Sequence, residues 1–270
     1  MFTALNIGLL FTDSRFRKDE AQFNLFYRID DGQCATALQT ESMDAAALQN
    51  AGRGLWLWMN PEISDTRANA IIDSLAETLK DAKLPSAAAD PRFAARFAQA
   101  YGNQASAVWD LGMAMTAYVC PEVRLPIGVA GEAIQATMED LLVVAAYCAG
   151  FAEHLGQQVD VQSQLPAAES MIKTGNLSLW KVDGAAVSMA NIAHHSPRHG
   201  RINSVYTPLP ERKKGYASAL TAAVSAKLLA QGLTPLLYAD VANPDSNKVY
   251  KSIGYTQCGR IDDFIFTYGQ

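Results

Sequence analysis

A basic turn with one glycine lies between a predicted strand and a predicted helix in the second half of the chain. The strand, Ile202 to Thr207, is rich in β-branched and aromatic residues and is followed by prolines. The turn reads Glu211-Arg212-Lys213-Lys214-Gly215, and a helix with apolar residues at four-residue spacing runs from there to Gln231. The first N–H groups of a helix have no intrahelical partner, so this order of elements predicts an anion site, with phosphate as a typical ligand.

The surroundings of the turn support this interpretation more than its short motif does. A second strand is predicted from Pro235 to Val241, which completes the strand–helix–strand order of a phosphate-binding unit. Residues 198–260 contain nine Lys or Arg and three Asp or Glu, although the whole chain has a net charge of -5. This local positive charge indicates an anion site, and the alternative is a solvated basic face.

A third element follows the second strand. Asn243-Pro244 predicts a turn, Asp245 or Ser246 is a candidate cap for a short helix, and Gly254 is expected to end that helix. Asn247 and Tyr250 are three residues apart and therefore share a helix face. Tyr250 is a candidate functional residue, with a purely structural place in the core as the alternative.

Five short strings in residues 205–255 resemble the GCN5-related N-acetyltransferase superfamily, whose acetyl-CoA signature, R/Q-x-x-G-x-G/A, follows a central strand. They are V-Y-T-P at Val205 to Pro208, G-Y-A-S at Gly215 to Ser218, L-Y-x-D-x-A-N-P at Leu237 to Pro244, S-N-K at Ser246 to Lys248, and Y-x-x-I-G-Y at Tyr250 to Tyr255. A weaker likeness begins near Gly131 and extends across the second half.

The resemblance implies an α/β fold with a mixed sheet and two halves. Residues 128–270 are predicted to form the acyl-CoA N-acyltransferase domain. Residues 1–127 are predicted to form either a degenerate half of the same fold that closes over the active site or an unrelated α/β accessory domain. Gly52-Arg53-Gly54 in this first part is at most a remnant of a phosphate turn.

The resemblance also implies how acetyl-CoA is bound. The backbone of Val205, Tyr206 and Thr207 is expected to pair with the pantetheine arm as an added strand would. Arg212 takes the leading position of the signature, and amides of the turn are expected to bind the pyrophosphate. The full set of implied cofactor residues is Val205, Tyr206, Thr207, Arg212, Lys213, Lys214, Gly215, Tyr216, Ala217, Ser218, Asn243 and Asn247.

The implied proton donor to the leaving thiolate is Tyr250. A phenol has an ordinary pKa near 10, similar to that of an alkyl thiol, so the transfer would be nearly balanced. Many superfamily members place a glutamate on the central strand as general base, but this strand offers Asn203, Ser204 and Tyr206 instead. Asp240, His194 and His195 are candidates for the general base in place of that glutamate. Loss of the amine proton through a water chain is a further alternative.

The sequence therefore predicts an acetyl-CoA-dependent N-acetyltransferase that acetylates a primary amine of a small molecule or peptide. The alternative is an acyl-CoA-binding sensor without turnover, suggested by the missing strand glutamate. A nucleotide-binding Rossmann enzyme is disfavoured because no G-x-G-x-x-G follows an early strand. No metal site is expected, and the two adjacent histidines are predicted to lie on a loop surface.

Composition narrows the class of protein. The 270 residues are 49% hydrophobic and 18% charged, with pI about 5.4, which is typical of a globular protein and argues against nucleic-acid partners. The longest apolar run, 141–152, is too short to cross a bilayer, and the start lacks a signal-peptide pattern. The widely spaced cysteines are predicted to be buried and reduced, which is typical of a cytoplasmic protein. We also expect no membrane partner, and a monomer or a homodimer.

Periodicity predicts the remaining elements. In the first half these are a strand at residues 54–59, a helix from Ser64 to Lys80 and a helix that begins after Asp90-Pro91. In the second half they are a short strand from Glu132 to Thr137, a helix from Met138 to Leu155 capped at Thr137, and strands Leu177–Val182 and Ala185–Ile192 joined by a tight turn. Residues 197–200 are predicted to turn.

Overall fold

A computed structural model describes residues 1–30 and 34–269, which divide into two compact units. The first unit contains Met1–Tyr118, Tyr238–Asn243 and Gln257–Gln270, and the second contains Val119–Leu237 and Pro244–Thr256. This division differs from the single boundary predicted at residue 127. The cause is long-range strand pairing, because the end of the chain pairs with a strand of the first half.

The first unit has strands in the order β1-β2-β3-β4-β5-β12-β6. Its strands are β1 (Phe2–Ala4), β2 (Cys34–Thr40), β3 (Ala45–Asn50), β4 (Leu55–Met59), β5 (Ser86–Ala89), β6 (Ala107–Val119) and β12 (Thr256–Tyr268). Its helices are α1 (Ile7–Thr12), α2 (Ser14–Asp19), α3 (Leu25–Asp30), α4 (Asp65–Leu79) and α5 (Pro91–Ala105). The unit is therefore mixed α/β, as predicted.

Local sequence signals explain α4 and α5, and both predictions are confirmed. The Ser64 side chain accepts the Arg67 N–H at the start of α4, and the Asp90 side chain accepts the Arg92 N–H at the start of α5. Residues at helical spacing along each helix are buried in one apolar cluster with β3, β4 and β5. They include Ile71, Ile72, Leu75, Phe93, Phe97 and Tyr101.

The glycines at 52 and 54 do not form a phosphate turn. They lie in the connection between antiparallel β3 and β4, where the Arg53 N–H donates to the Asn50 carbonyl. Gly52 has φ +69, the left-handed conformation that suits a tight reversal. No helix follows, so this segment lacks the unpaired helix-start amides of an anion site, and the suggestion of a remnant turn is wrong.

The second unit has strands in the order β11-β10-β9-β8-β7. Its strands are β7 (Glu132–Gln135), β8 (Leu177–Val182), β9 (Ala185–His195), β10 (His199–Tyr206) and β11 (Thr234–Asp240). Its helices are α6 (Leu141–His154), α7 (Val161–Lys173), α8 (Tyr216–Ala230) and α9 (Pro244–Ser252). Strand β10 pairs with β11 in parallel and α8 connects them, so the predicted strand–helix–strand unit is confirmed.

Strand β9 is longer than predicted. It continues through His194 and His195, and β10 begins at His199, inside the predicted turn. A bulge in the pairing of β9 with β10 allows this extension, since the register shifts between Arg201 and Ile202. The loop-surface prediction for the two histidines is therefore wrong, because His194 is buried in the strand and its neighbour is exposed.

The helix predicted from Met138 to Leu155 is present with a different first turn. Met138–Asp140 is a 3-10 turn that leads into α6. Its start carries a capping box, in which Asp140 accepts the Thr137 N–H at 3.0 Å. Helices α6 and α7 cover one face of β8 and β9, with Val144, Leu179 and Met189 in the shared core. No helix among the described residues is long and apolar enough to span a membrane.

The cysteines differ in their surroundings. Cys120 is buried, and burial raises the pKa of its thiol to about 11. Cys148 and Cys258 are partly buried, and Cys34 is exposed. The prediction that all cysteines are buried is therefore wrong for Cys34, which lies at the start of strand β2.

A closed set of hydrogen bonds ties the C-terminal strand into the first unit. The Tyr268 hydroxyl donates to the Leu84 carbonyl at 2.8 Å, and the Leu84 N–H donates to the Tyr101 hydroxyl at 2.9 Å. The two hydroxyl oxygens lie 2.7 Å apart. Since β12 also pairs with β5, from Asp262↔Ala89 to Ile265↔Ser86, the last strand is a structural part of this unit.

We expect Tyr268→Phe to destabilise the first unit by about 1–2 kcal/mol, because the Leu84 carbonyl and the Tyr101 hydroxyl both lose a partner. Thermal unfolding followed by circular dichroism should show a melting point lower by about 2–6 °C. Thr267→Ala changes an exposed neighbour on the same strand and should leave the melting point unchanged. Equal melting points for both variants would contradict a stabilising role for these hydrogen bonds.

Candidate functional site

Strand β10 is paired with β11 over only part of its length. The parallel register runs from His199↔Thr234 to Arg201↔Leu236, whereas β10 itself continues to Tyr206. In the described register, its last residues pair with β9 alone. Past Arg201, the backbone N–H and C=O groups on this side of β10 are therefore not paired with β11.

A bulge lies just before this end of β10. Ser204 has φ +50, and the register with β9 shifts between Asn203 and Tyr206. An extra residue in one strand bends it and re-aims the side chains that follow. Sequence patterns did not predict this bulge, because Ser204 lies within a regular run of strand-forming residues.

Side chains hold the backbone at Tyr206 and Thr207. The Ser188 hydroxyl on β9 lies 3.0 Å from the Tyr206 carbonyl and 2.8 Å from the Thr207 hydroxyl. The Arg212 Nε donates to the Thr207 carbonyl at 2.9 Å. Arg212 thus fixes the path from the end of β10 into the turn, and Ser188 is a supporting residue that sequence reasoning missed.

The turn reverses direction through two left-handed residues. Lys213 has φ +63 and Gly215 has φ +88, and Gly215 is the N-cap residue of α8. No side chain in the described chain caps this helix, and its first backbone bond runs from the Ala219 N–H to the Gly215 carbonyl. The amides that open α8, from Tyr216 to Ser218, therefore have no intrahelical acceptor.

The lysines of the turn are held by neighbouring carboxylates. Lys213 Nζ lies 2.5 Å from Asp245 on α9, and Lys214 Nζ lies 2.9 Å from Glu211. The Lys213 ammonium holds the pKa of Asp245 below its usual value. These ion pairs partly neutralise the positive charge that the sequence places here, and because both are exposed each one is weak.

Tyr250 lies in the interior of the second unit. It is 7% exposed on α9, and its ring centroid is 5.9 Å from that of Tyr255. Burial raises the pKa of Tyr250 above its ordinary range, so the phenol stays protonated at neutral pH. This changes the expectation from sequence, because a phenol with a raised pKa no longer matches a thiol in acidity.

The other predicted site residues divide between the units. Asn247 lies on α9 together with Tyr250, whereas Asp240 and Asn243 fall in the first unit. The Asp240 carboxylate accepts the Ala242 N–H at 2.8 Å, and its carbonyl accepts the Asn243 N–H at 3.1 Å. Asp240 therefore stabilises the turn after β11, and its role as a base stays a prediction.

Comparison with known proteins places these features in context. Residues 181–261, which contain the turn, α8 and α9, match the family model for FR47-like proteins. A GCN5-related N-acetyltransferase from Kribbella flavida has a similar structure, with TM-score 0.62, 16% identity and coverage of 96% of this chain and 97% of that one. One from Sphaerobacter thermophilus gives TM-score 0.61 and 17% identity over 98% of this chain and 94% of that one.

An acetyltransferase of the GNAT family from Colwellia psychrerythraea also has a similar structure, with TM-score 0.58 and 13% identity. The alignment covers 99% of this chain and 100% of that one. No curated protein matches the chain by sequence. The likeness includes both halves, so the predicted two-half GCN5-related fold is confirmed, whereas the roles of individual residues stay predictions.

The turn itself makes a testable contrast between two glycines. A Cβ on Gly215 would lie 3.0 Å from Cγ2 of Val129, whereas Gly232, also left-handed with φ +77, has open space around it. We expect Gly232→Ala to cost about 1–2 kcal/mol from backbone strain alone. Gly215→Ala should cost more, since Val129 must also move, and calorimetric melting points should rank the variants in that order. Equal losses would show that Val129 does not constrain the turn.

Proposed function

From this GCN5-related fold, we propose that the chain is an acetyl-CoA-dependent N-acetyltransferase that acts directly on a primary amine of a small molecule or peptide. The observation that carries the proposal is the start of α8, where a left-handed glycine precedes amides that no side chain of the described residues caps. A connection that contains a 3-10 turn at Leu209–Glu211 joins this start to β10, whose last residues are not paired with β11. The proposal places the protein in the cytoplasm, as a monomer or homodimer.

The residues present fit a diphosphate. The amides of Tyr216, Ala217 and Ser218 point out of the helix start and carry the positive end of its dipole. Gly215 adopts the left-handed conformation that starts the helix, and Arg212 is held against the Thr207 carbonyl. Lys213, Lys214 and Asn247 of the same unit are proposed as further contacts of the cofactor, whereas Asn243 falls in the first unit and stays a prediction.

The end of β10 fits the pantetheine arm, which contains amide groups. Val205, Tyr206 and Thr207 lie past the last pairing with β11, so an added strand-like partner suits their backbone. The Ser188 hydroxyl donates to the Tyr206 carbonyl from the β9 side of the strand. The arm is therefore proposed to lie along the opposite edge of β10, the edge that pairs with β11 earlier in the strand. Acetyl-CoA, when bound, supplies the acetyl thioester that the amine attacks.

Tyr250 is the proposed proton donor. Its hydroxyl holds a proton at every pH at which the fold is expected to work, because burial raises its pKa. It can therefore donate to a leaving sulfur and cannot act as a base. The central strand has no carboxylate between Arg201 and Tyr206, so the amine must arrive neutral or lose its proton to water.

A binding protein without turnover is the second candidate. The absence of a carboxylate between Arg201 and Tyr206 favours it, since no side chain of the central strand can take the proton of the amine. Such a sensor would keep the turn and the open end of β10. It would bind acetyl-CoA and leave every amine unmodified.

Catalysis is tested by mixing the protein, acetyl-CoA and a panel of primary amines and following free CoA with a thiol reagent. We expect CoA release with at least one amine, and Tyr250→Phe should lower kcat by about 100-fold, as for loss of a general acid. Tyr255→Phe is the matched control. Its hydroxyl bonds to Ser225 at 2.8 Å, so its loss should lower the melting point and leave kcat within about twofold.

The sensor gives a different result in the same samples. Acetyl-CoA at 100 times its dissociation constant would stabilise the fold by about 2.7 kcal/mol, and no amine would release CoA. Absence of both the stabilisation and the CoA release would contradict both candidates.

A further inference from the structure

A segment without helix or strand, residues 122–130, lies beside the end of α9 and the start of α8 in the second unit. At the end of α9, the Arg124 N–H donates to the Ile253 carbonyl at 2.9 Å. The Glu122 carbonyl approaches Gly254 so closely that a Cβ on that glycine would lie 2.3 Å from it. Only a glycine allows such an approach, so the first end of the segment is fixed at this position.

The segment ends beside the proposed phosphate turn. The Val129 Cγ2 lies 3.0 Å from the position that a Cβ on Gly215 would take, and the Ala130 carbonyl accepts the Trp180 Nε1–H at 2.8 Å. Both ends of the segment are therefore held by contacts within the second unit. Pro126, between them, restricts the backbone further, because its ring fixes one dihedral angle. A surface held in this way loses little conformational freedom when a ligand packs on it.

The middle of the segment exposes two large apolar side chains. Ile127 is 98% exposed and Leu125 is 63% exposed. An isolated apolar side chain at a surface is ordinary, but these two stand two residues apart on a segment that is fixed around them. A Cβ on Gly128 would meet no atom of the described residues within 4 Å, so the space beside Ile127 is open. The fold itself does not use this apolar surface.

A ligand held at the start of α8 can reach this surface. Ile127 is two residues from Val129, a span of at most about 7 Å, and Val129 packs beside Gly215 of the turn. In CoA, the adenine is joined to the diphosphate through a single ribose. A diphosphate at the turn therefore brings the base close to the 122–130 segment, while the pantetheine arm runs the other way, along β10.

The chemistry of the segment matches that end of the ligand. The face of an adenine is a flat surface that packs on aliphatic side chains, and the neighbouring ribose carries a 3′-phosphate. Arg124 is the one charged residue in positions 123–131, and its side chain is exposed. Two apolar side chains next to a single cation are thus complementary to a base next to a phosphate.

We propose that Leu125 and Ile127 form the binding surface for the adenine of CoA, with Arg124 supplying positive charge for the 3′-phosphate. This inference rests on the proposed function and names the residues that recognise the nucleotide end of the cofactor. Binding through this surface removes the base from solvent. Truncation of the two side chains returns the base to solvent and leaves the diphosphate at the turn.

The exposure of the base is measured with 1,N6-etheno-CoA, whose modified adenine is fluorescent. With enough wild-type protein to bind all of the ligand, acrylamide should quench this fluorescence less than it does for the free ligand. With the double variant Leu125→Ala/Ile127→Ala, quenching of the bound ligand should return to the free value. The double variant should also bind CoA about 5–20 times more weakly by isothermal calorimetry, because less apolar area is covered.

Two controls assign these effects to the base. Leu142→Ala truncates another exposed apolar side chain of the second unit, 68% exposed on α6, and should change neither the quenching nor the affinity for CoA. The ligand 4′-phosphopantetheine lacks the adenosine, so the double variant should bind it with wild-type affinity. The truncated side chains of the double variant are exposed, so its melting point without ligand should equal that of the wild-type chain.

The outcomes separate this inference from the function on which it rests. If neither CoA nor etheno-CoA binds, the proposed function fails and this inference fails with it. If etheno-CoA binds and its base is quenched as in free solution, the function stands and the adenine surface is wrong. Equal protection of the base in the wild-type chain and the double variant would also overturn it. A wild-type dimer that dissociates in the double variant, measured by sedimentation velocity without ligand, would instead assign the surface to a second copy of the chain.

Discussion

The start of α8 is the constraint on which the rest of the second unit depends. A helix leaves its first N–H groups unpaired, and here Gly215 begins the helix without a capping side chain from the described residues. Arg212 ties the turn to Thr207, and Val129 packs beside Gly215, so the turn is held without its amides being used.

The end of β10, like the start of α8, has backbone groups without a partner in its neighbouring element. A strand normally satisfies its backbone on both sides, but the pairing with β11 ends at Arg201↔Leu236. On the β9 side the bulge at Ser204 would leave the Tyr206 carbonyl poorly paired, and the Ser188 hydroxyl supplies the missing donor. The second unit thus satisfies one edge of β10 from its own residues, whereas the other edge is not paired with β11 past Arg201.

Sequence patterns predicted the elements that depend on neighbouring residues. The caps at Ser64 and Asp90, the β8–β9 hairpin and the β10–α8–β11 unit all follow from signals within a few residues of each element. The pairing of β12 with β5 could not be predicted, because it joins segments far apart in sequence and no local periodicity encodes the partner. The burial of His194 was missed for the same reason, since a bulge and not a pattern extends β9.

The site was predicted in its backbone features and missed in its side-chain support. Motifs located the turn and Tyr250, but Ser188, which supports the end of β10, lies on β9 outside every motif, where a polar residue at a strand position gave the only signal. Between Arg201 and Tyr206 the strand offers Asn203 and Ser204 in place of a carboxylate, and a carboxylate buried there would cost several kcal/mol. Asn203 instead meets Asn191 as a neutral amide pair, with the Asn191 Nδ2 donating to the Asn203 Oδ1. Under the proposed function, the acceptor amine would therefore have to bind neutral or lose its proton to water, because the strand itself supplies no base.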